Sequence, residues 1–111
     1  MSKRPKCVLN LRYTIKPGSI EPMMVELRKI LDQCALEEDF VAAFLHQSLE
    51  RPNDIMLYEI WHGTKEEFAK TQGSRPYRQE YMKNSKQYVE SVRVEWDIPT
   101  IEWGTATLLE R

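Results

Sequence analysis

From Cys7 to Lys16 the chain alternates, with Leu9, Leu11, Tyr13 and Ile15 on one side and Asn10, Arg12 and Thr14 on the other. That period of two marks a half-buried strand. Pro17-Gly18 turns the chain, and Ser19 is placed to cap a helix. Pro22 then falls in that helix's first turn, where its missing N–H does no harm. Ile20, Met23, Met24, Leu27, Leu31 and Cys34 recur at helical spacing, opposite Glu26, Arg28, Lys29 and Asp32, so this helix should lie over a sheet. Phe40 to Leu49 and Ile55 to Trp61 read as a second and third strand. The breaker-rich turn Glu50-Arg51-Pro52-Asn53-Asp54 joins them into an antiparallel hairpin. Thr64-Lys65-Glu66-Glu67 has the form of a capping box, which starts a second helix at Lys65. Gly73 interrupts that helix, Ser74 and Pro76 restart it, and Tyr77, Tyr81, Tyr88 and Val92 mark one face. Arg93 to Ile98 is the last strand, stopped by Pro99. Beyond it Ile101, Trp103, Leu108 and Leu109 make residues 99–111 too apolar for a free solvated end, and this tail is expected to dock on the core or on a partner.

The order βαββαβ is the ferredoxin-like α+β plan: a four-stranded antiparallel sheet with helices on one face. A single domain fills residues 1–111, with 1–6 expected to be a loose start. Two helices cover only one face of such a sheet, yet the hairpin is apolar on both. Phe40, Ala42 and Phe44 oppose Val41, Ala43, Leu45 and Leu49, while Met56, Tyr58 and Ile60 oppose Ile55, Leu57 and Trp61. More than roughly 400 Å² of bare apolar sheet is unusual on a soluble monomer. A second copy packed sheet to sheet, a homodimeric α+β barrel, is the expected solution.

Composition changes this picture only by exclusion. The formal charge of the 111 residues is -1, and Lys3, Arg4 and Lys6 form the one basic cluster, so nothing is built to grip a nucleic-acid backbone. RNA-recognition domains share the βαββαβ order, but Ile55 to Trp61 lacks the basic residue and glycine of their signature. The longest apolar run, Phe40 to Leu45, is far shorter than the ~20 residues that span a bilayer. Asn10 and Arg12 break the first apolar stretch, unlike a secretory signal. The expectation is a cytoplasmic protein that binds neither membrane nor nucleic acid, with Cys7 and Cys34 as reduced structural thiols.

The segment Phe44-Leu-His-Gln-Ser-Leu-Glu-Arg-Pro-Asn-Asp-Ile-Met-Leu-Tyr-Glu-Ile-Trp61, then Ser74-Arg-Pro-Tyr-Arg-Gln-Glu-Tyr81, resembles the antibiotic biosynthesis monooxygenase superfamily, its quinol monooxygenase-like members in particular. Lys16-Pro17-Gly18 and Tyr58-Glu59-Ile60-Trp61 fit as well, and the likeness runs from about Leu9 to Trp96. It implies a dimeric α+β barrel with a cavity between sheet and helices in each subunit. It also implies oxygenation of a small aromatic, a quinol or polyphenol, by O2 without metal, flavin or haem. The protein then has to bind a ring in a dry pocket, remove a phenolic proton and hold the anion. Where many relatives start the second helical segment with a Ser-Pro-His-type sequence, Tyr77 follows Pro76 here, and no histidine lies beyond Gly63. That also speaks against the haem chemistry of other members, whose iron is held by a histidine on this helix.

Three residues are candidates for catalysis. His46, on the strand face of Phe44, is the preferred general base, or else a structural histidine. Asn10 can orient a carbonyl or an O2-derived oxygen, and Tyr77 can donate a hydrogen bond in place of the absent histidine. Five more are candidates for substrate binding. Trp61 can wall a pocket or pack the core. Glu59 can act as a base of raised pKa, or pair with Arg12 or Arg78, two further candidates for substrate binding, of which Arg12 can point the same way as Asn10 or pair structurally. Tyr81, one turn from Tyr77, can line the cavity roof or belong to the core. The same barrel also suits an isomerase or lyase acting on a small carbonyl compound, or a dimer that binds a small molecule without turnover.

Overall fold

Alternation along Lys6–Ile15 (β1) places Cys7, Leu9, Tyr13 and Ile15 in the interior. Ile20–Cys34 (α1) covers them with Met23, Leu27, Ile30 and Cys34, one stripe whose flanks are the half-buried Ile20, Met24 and Leu31. Phe40–Gln47 (β2) and Asp54–His62 (β3) form the hairpin. Lys65–Gln72 (α2), Pro76–Ser85 (α3) and Val89–Asp97 (β4) complete the chain. All pairings are antiparallel, and the sheet order is β2-β3-β1-β4. This is the ferredoxin-like α+β fold, here in a computed structural model that describes residues 4–104.

Two local devices set up the region between sheet and helices. The capping box forms as its spacing requires: Thr64 Oγ1 accepts from the Glu67 N–H at 3.1 Å, and Glu67 Oε1 accepts from the Thr64 N–H at 3.0 Å. Gly73 then closes α2, and a Cβ there would stand 2.6 Å from the Ala69 carbonyl oxygen. No other residue fits this elbow without moving backbone. Pro76 opens α3 at once, with Arg75 rather than Ser74 as its N-cap. Ser19 holds the N-cap position of α1, but its hydroxyl makes no capping bond.

The structure corrects several expectations. β4 begins at Val89, four residues before Arg93, because the Tyr88 carbonyl accepts from the Lys16 N–H at 2.9 Å and Val89 pairs with Ile15. Tyr88 and Val92 therefore do not continue the face of Tyr77 and Tyr81; α3 ends at Ser85. A bulge between Phe40 and Ala42 shifts β2 by one residue, which turns Phe40 to the helix side, edge-on to Trp61 at 5.2 Å between ring centroids. The sheet face without helices is thus less apolar than expected. Val8 and Ile60, on that face, are 1% and 3% exposed in the single chain. Ala42, Phe44, Met56 and Tyr58 remain half-buried or exposed there, beside Arg12 and His46.

The first described residues are tied to the fold. The Pro5 carbonyl accepts from the Gly63 N–H at 2.7 Å, and Arg4 pairs with Asp39 at 2.8 Å. Ile101 and Trp103 are exposed, while Leu108 and Leu109 lie outside the described residues. Among the described residues no helix is long and apolar enough to cross a membrane. Thr64→Ala removes one half of the capping box and is expected to destabilise the fold by about 1 kcal/mol, as read from urea unfolding.

Candidate active site

Glu59 lies on the helix side of β3, a central strand, and is 2% exposed. A carboxylate so far from water needs partners, because desolvation strongly penalises its charge. It has two. The Trp61 indole Nε1–H, two residues along the same face, donates to Glu59 Oε1 at 2.9 Å. Arg78, brought over the sheet by α3, approaches the same oxygen at 3.3 Å. The guanidinium is itself held: Nε donates to Gln72 Oε1 at 2.8 Å, and one terminal nitrogen lies 3.4 Å from Cys34 Sγ. It stacks 4.8 Å above the Phe68 ring and 5.7 Å from that of Trp61, the geometry in which a planar cation gains from ring quadrupoles.

Aromatic rings floor this cluster. Phe40, Trp61, Phe68 and Trp96 contact one another in series, edge to face, at 5.1–5.2 Å between centroids. Toward the surface comes a second polar layer. The Tyr77 hydroxyl lies 2.7 Å from Gln72 Oε1 and 2.8 Å from Glu37 Oε2, so its single proton serves one of them at a time. Glu37 accepts two further bonds from Arg75, at 2.9 and 3.0 Å. Burial works to raise the Glu37 carboxyl, but the bonds from Arg75 and Tyr77 prevail and hold it below the usual carboxylate value. Deeper in, the Tyr13 and Tyr81 hydroxyls are 2.9 Å apart. Burial pushes Tyr81 up to about 12 and Cys34 up to about 11, and raises Tyr13 and Tyr77 as well. At neutral pH these tyrosines are protonated donors.

The structure therefore divides the sequence candidates. Glu59, Trp61, Tyr77, Arg78 and Tyr81 come together between sheet and helices. His46, Asn10 and Arg12 do not join them: they share rows with Met56 and Tyr58 on the opposite face. A sheet is one residue thick and successive side chains leave it in opposite directions, so His46 and Asn10 cannot meet Tyr77 within one chain. For the same reason Arg78, not Arg12, is the partner of Glu59. Arg12, His46, Met56 and Arg93 line a groove of about 510 Å³ on the helix-free face; Asn10, on the same face but not in that groove, buries its Oδ1 without a hydrogen-bond partner among the described residues. Glu37, Gln72, Phe68 and Phe40 complete the helix-side cluster and were not singled out from the sequence. Gln72 carried one signal, a polar residue one helical turn from Phe68 on the face that α2 must bury.

No family model matches the sequence, and no curated protein matches it. Solved structures do. A protein from Bacteroides thetaiotaomicron provisionally assigned as an antibiotic biosynthesis monooxygenase superposes with a TM-score of 0.78 at 21% identity, over 93% of this chain and 97% of its own. One of the same assignment from Nitrosomonas europaea gives 0.79 at 15% identity over 94% and 99%. A third, from Chloroflexus aurantiacus, gives 0.72 at 16% over 89% and 97%. The fold is one this chain shares with these three proteins. At such identities the likeness concerns the backbone, and it extends over nearly the whole length of each partner. Within that shared fold, this chain furnishes the space between sheet and helices with a buried carboxylate, an arginine on aromatic rings and three tyrosine hydroxyls.

Arg78→Met strands the Glu59 charge and is expected to destabilise the fold by about 3–5 kcal/mol. Adding Glu59→Gln should recover most of that loss, a coupling that urea unfolding of the single and double variants measures.

Proposed function

We propose that this protein is an oxygenase that uses O2 to oxidise a small quinol or polyphenol at the Glu59–Trp61–Arg78 cluster without a bound cofactor. The observation that carries the reading is the side-on stack of Arg78 over Phe68 and Trp61 beside the buried Glu59. Such a site offers what a phenol needs to become a reductant. Aromatic rings accept the substrate ring, the carboxylate takes the phenolic proton, and the guanidinium holds the phenolate where little water weakens the attraction. The phenolate supplies electrons to O2. One oxygen atom enters the ring, the other leaves as water with the two hydrogens the substrate gives up, and the phenol becomes a quinone. Tyr77 and Tyr81 serve as neutral donors to the anion. The antibiotic biosynthesis monooxygenase fold of the solved neighbours supports the general class.

The protein works as a homodimer in this reading, its helix-free sheet face covered by a second copy. Phe44, 39% exposed, stands there next to Tyr58 at 6.0 Å. Along β4 the same face runs from Arg93 to Glu95 and Asp97, a change of sign that a twofold-related copy matches with its own. His46, Asn10 and Arg12 then belong to the interface. Sedimentation at micromolar concentration should give the mass of two chains, and Phe44→Glu should shift it toward one; a single-chain mass for the parent chain removes the dimer.

An oxygen electrode with a panel of quinols and polyphenols tests the chemistry. Uptake should persist in chelator and without added flavin or haem, and Glu59→Gln should lower kcat by about 10²–10⁴. Turnover that continues unchanged without air points instead to a carbonyl isomerase or lyase. Silence across the panel points to a binding protein.

A further inference from the structure

Among the described residues, Glu59 and Trp61 are each 2% exposed, while the Arg78 side chain beside them keeps 18% of its surface in water. These three residues line none of the grooves on the 510 Å³ face, at the Trp96 end of the sheet, or between α1 and α3. The last of these grooves, about 270 Å³, opens in the seam between α1 and α3 and ends against Tyr77 and Tyr81. From Tyr77 the hydrogen bonds run inward through Gln72 and Arg78 to Glu59. The groove is thus an approach that stops one layer short of the cluster.

Few contacts close that layer, and they are polar. Across the seam at this end stand the two Arg75–Glu37 bonds, the Tyr77–Glu37 bond and the long Arg78–Cys34 contact. Glu37 sits on the short segment between α1 and β2, and Arg75 on the elbow between α2 and α3. Both are within reach of water, with side chains 19% and 43% exposed. The elbow is anchored mainly through Phe68 and Tyr77, which pack partly buried against the core, and through polar bonds. Phe68 is the one large apolar side chain of α2, whereas the other end of the seam is held by Tyr81 and Ile30 in the main core. Parting the seam at Glu37 therefore exchanges polar bonds for water and leaves the core closed, the pattern of a low-energy local opening.

Resting on the oxygenase reading of the cluster, we infer that the seam between α1 and the α2–α3 elbow is the gate to it, and that Glu37 is the latch. Closed, the latch holds Arg75 and Tyr77 and keeps water from Glu59 and Trp61. Open, it frees the Tyr77 hydroxyl to turn toward an incoming phenol. Glu37 touches no reacting atom; it acts through Arg75 and Tyr77.

Access to Trp61 reports the gate without any need for turnover. The chain has three tryptophans, so Trp96→Phe with Trp103→Phe leaves Trp61 as the single indole. In that background Glu37→Gln should raise the acrylamide quenching constant about two- to fivefold while the cooperative melt is kept. The charge swap Glu37→Arg with Arg75→Glu should bring it back down. Should the background fold poorly, hydrogen exchange of the Trp61 indole N–H in the three-tryptophan chain gives the same reading. Unchanged quenching or exchange in folded Glu37→Gln, or a rise that the swap does not reverse, overturns the latch. The gate and the oxygenase separate cleanly. A silent oxygen-electrode panel with faster Trp61 access in Glu37→Gln removes the oxygenase and keeps a gated ligand site, whereas oxygen uptake with unchanged access removes the gate alone.

Discussion

Everything on the helix side of the sheet is arranged around one carboxylate that water hardly reaches. Glu59 sits on a central strand, so neither strand fraying nor a rotamer change can return it to solvent, and its charge must be met in place. That requirement explains the neighbours in turn. Trp61 gives its indole N–H, Arg78 reaches in from α3, and Gln72, polar yet 2% exposed, holds the guanidinium at the angle from which it serves Glu59. The break between α2 and α3 belongs to the same account. A straight helix through Gly73 and Pro76 would carry Gln72 and Arg78 along one fixed helical path, whereas the elbow turns both toward one point.

A pair replaced by well-packed apolar residues is often as stable as the pair itself, so stability alone gives no reason for Glu59 and Arg78. What the pair adds, in the proposed reading, is chemistry in a dry setting. Its members differ in what they can give up. In the proposed reaction the guanidinium serves only as a donor, while the carboxylate is the acceptor for a substrate that must lose a proton before it can lose electrons. The tyrosines fit the same division of labour, because burial keeps their hydroxyls protonated.

Much of this was legible in the chain. The alternation of β1, the stripe of α1 and the Thr64 capping box are local signals, and local signals survive folding. Glu59 and Trp61 could be paired from their spacing alone, two residues apart on one strand, and Arg78 was one of two arginines offered to the carboxylate. What was not legible depends on the third dimension. The bulge that turns Phe40 over has no sequence signature in a run of apolar residues. The start of β4 at Val89 depends on a pairing with Ile15, far back in the chain. Glu37 lies in a short irregular segment where no periodicity speaks, and only the elbow's position reveals Arg75 as its partner.

The division of the candidates between two faces bears on how such a small fold can work. A four-stranded sheet has two surfaces and this chain supplies helices for one. The helix-covered side has room for a polar cluster because helices can approach and bend, as the elbow at Gly73 does. The other side carries Arg12, His46 and Arg93 in one row across the strands, polar groups that a flat mate can meet but that no described helix approaches. A sheet that must stay rigid to hold register on one side can afford movement only on the other. In the proposed reading, chemistry that needs a substrate to enter is thereby confined to the helix side, and the face bearing His46 is left for association.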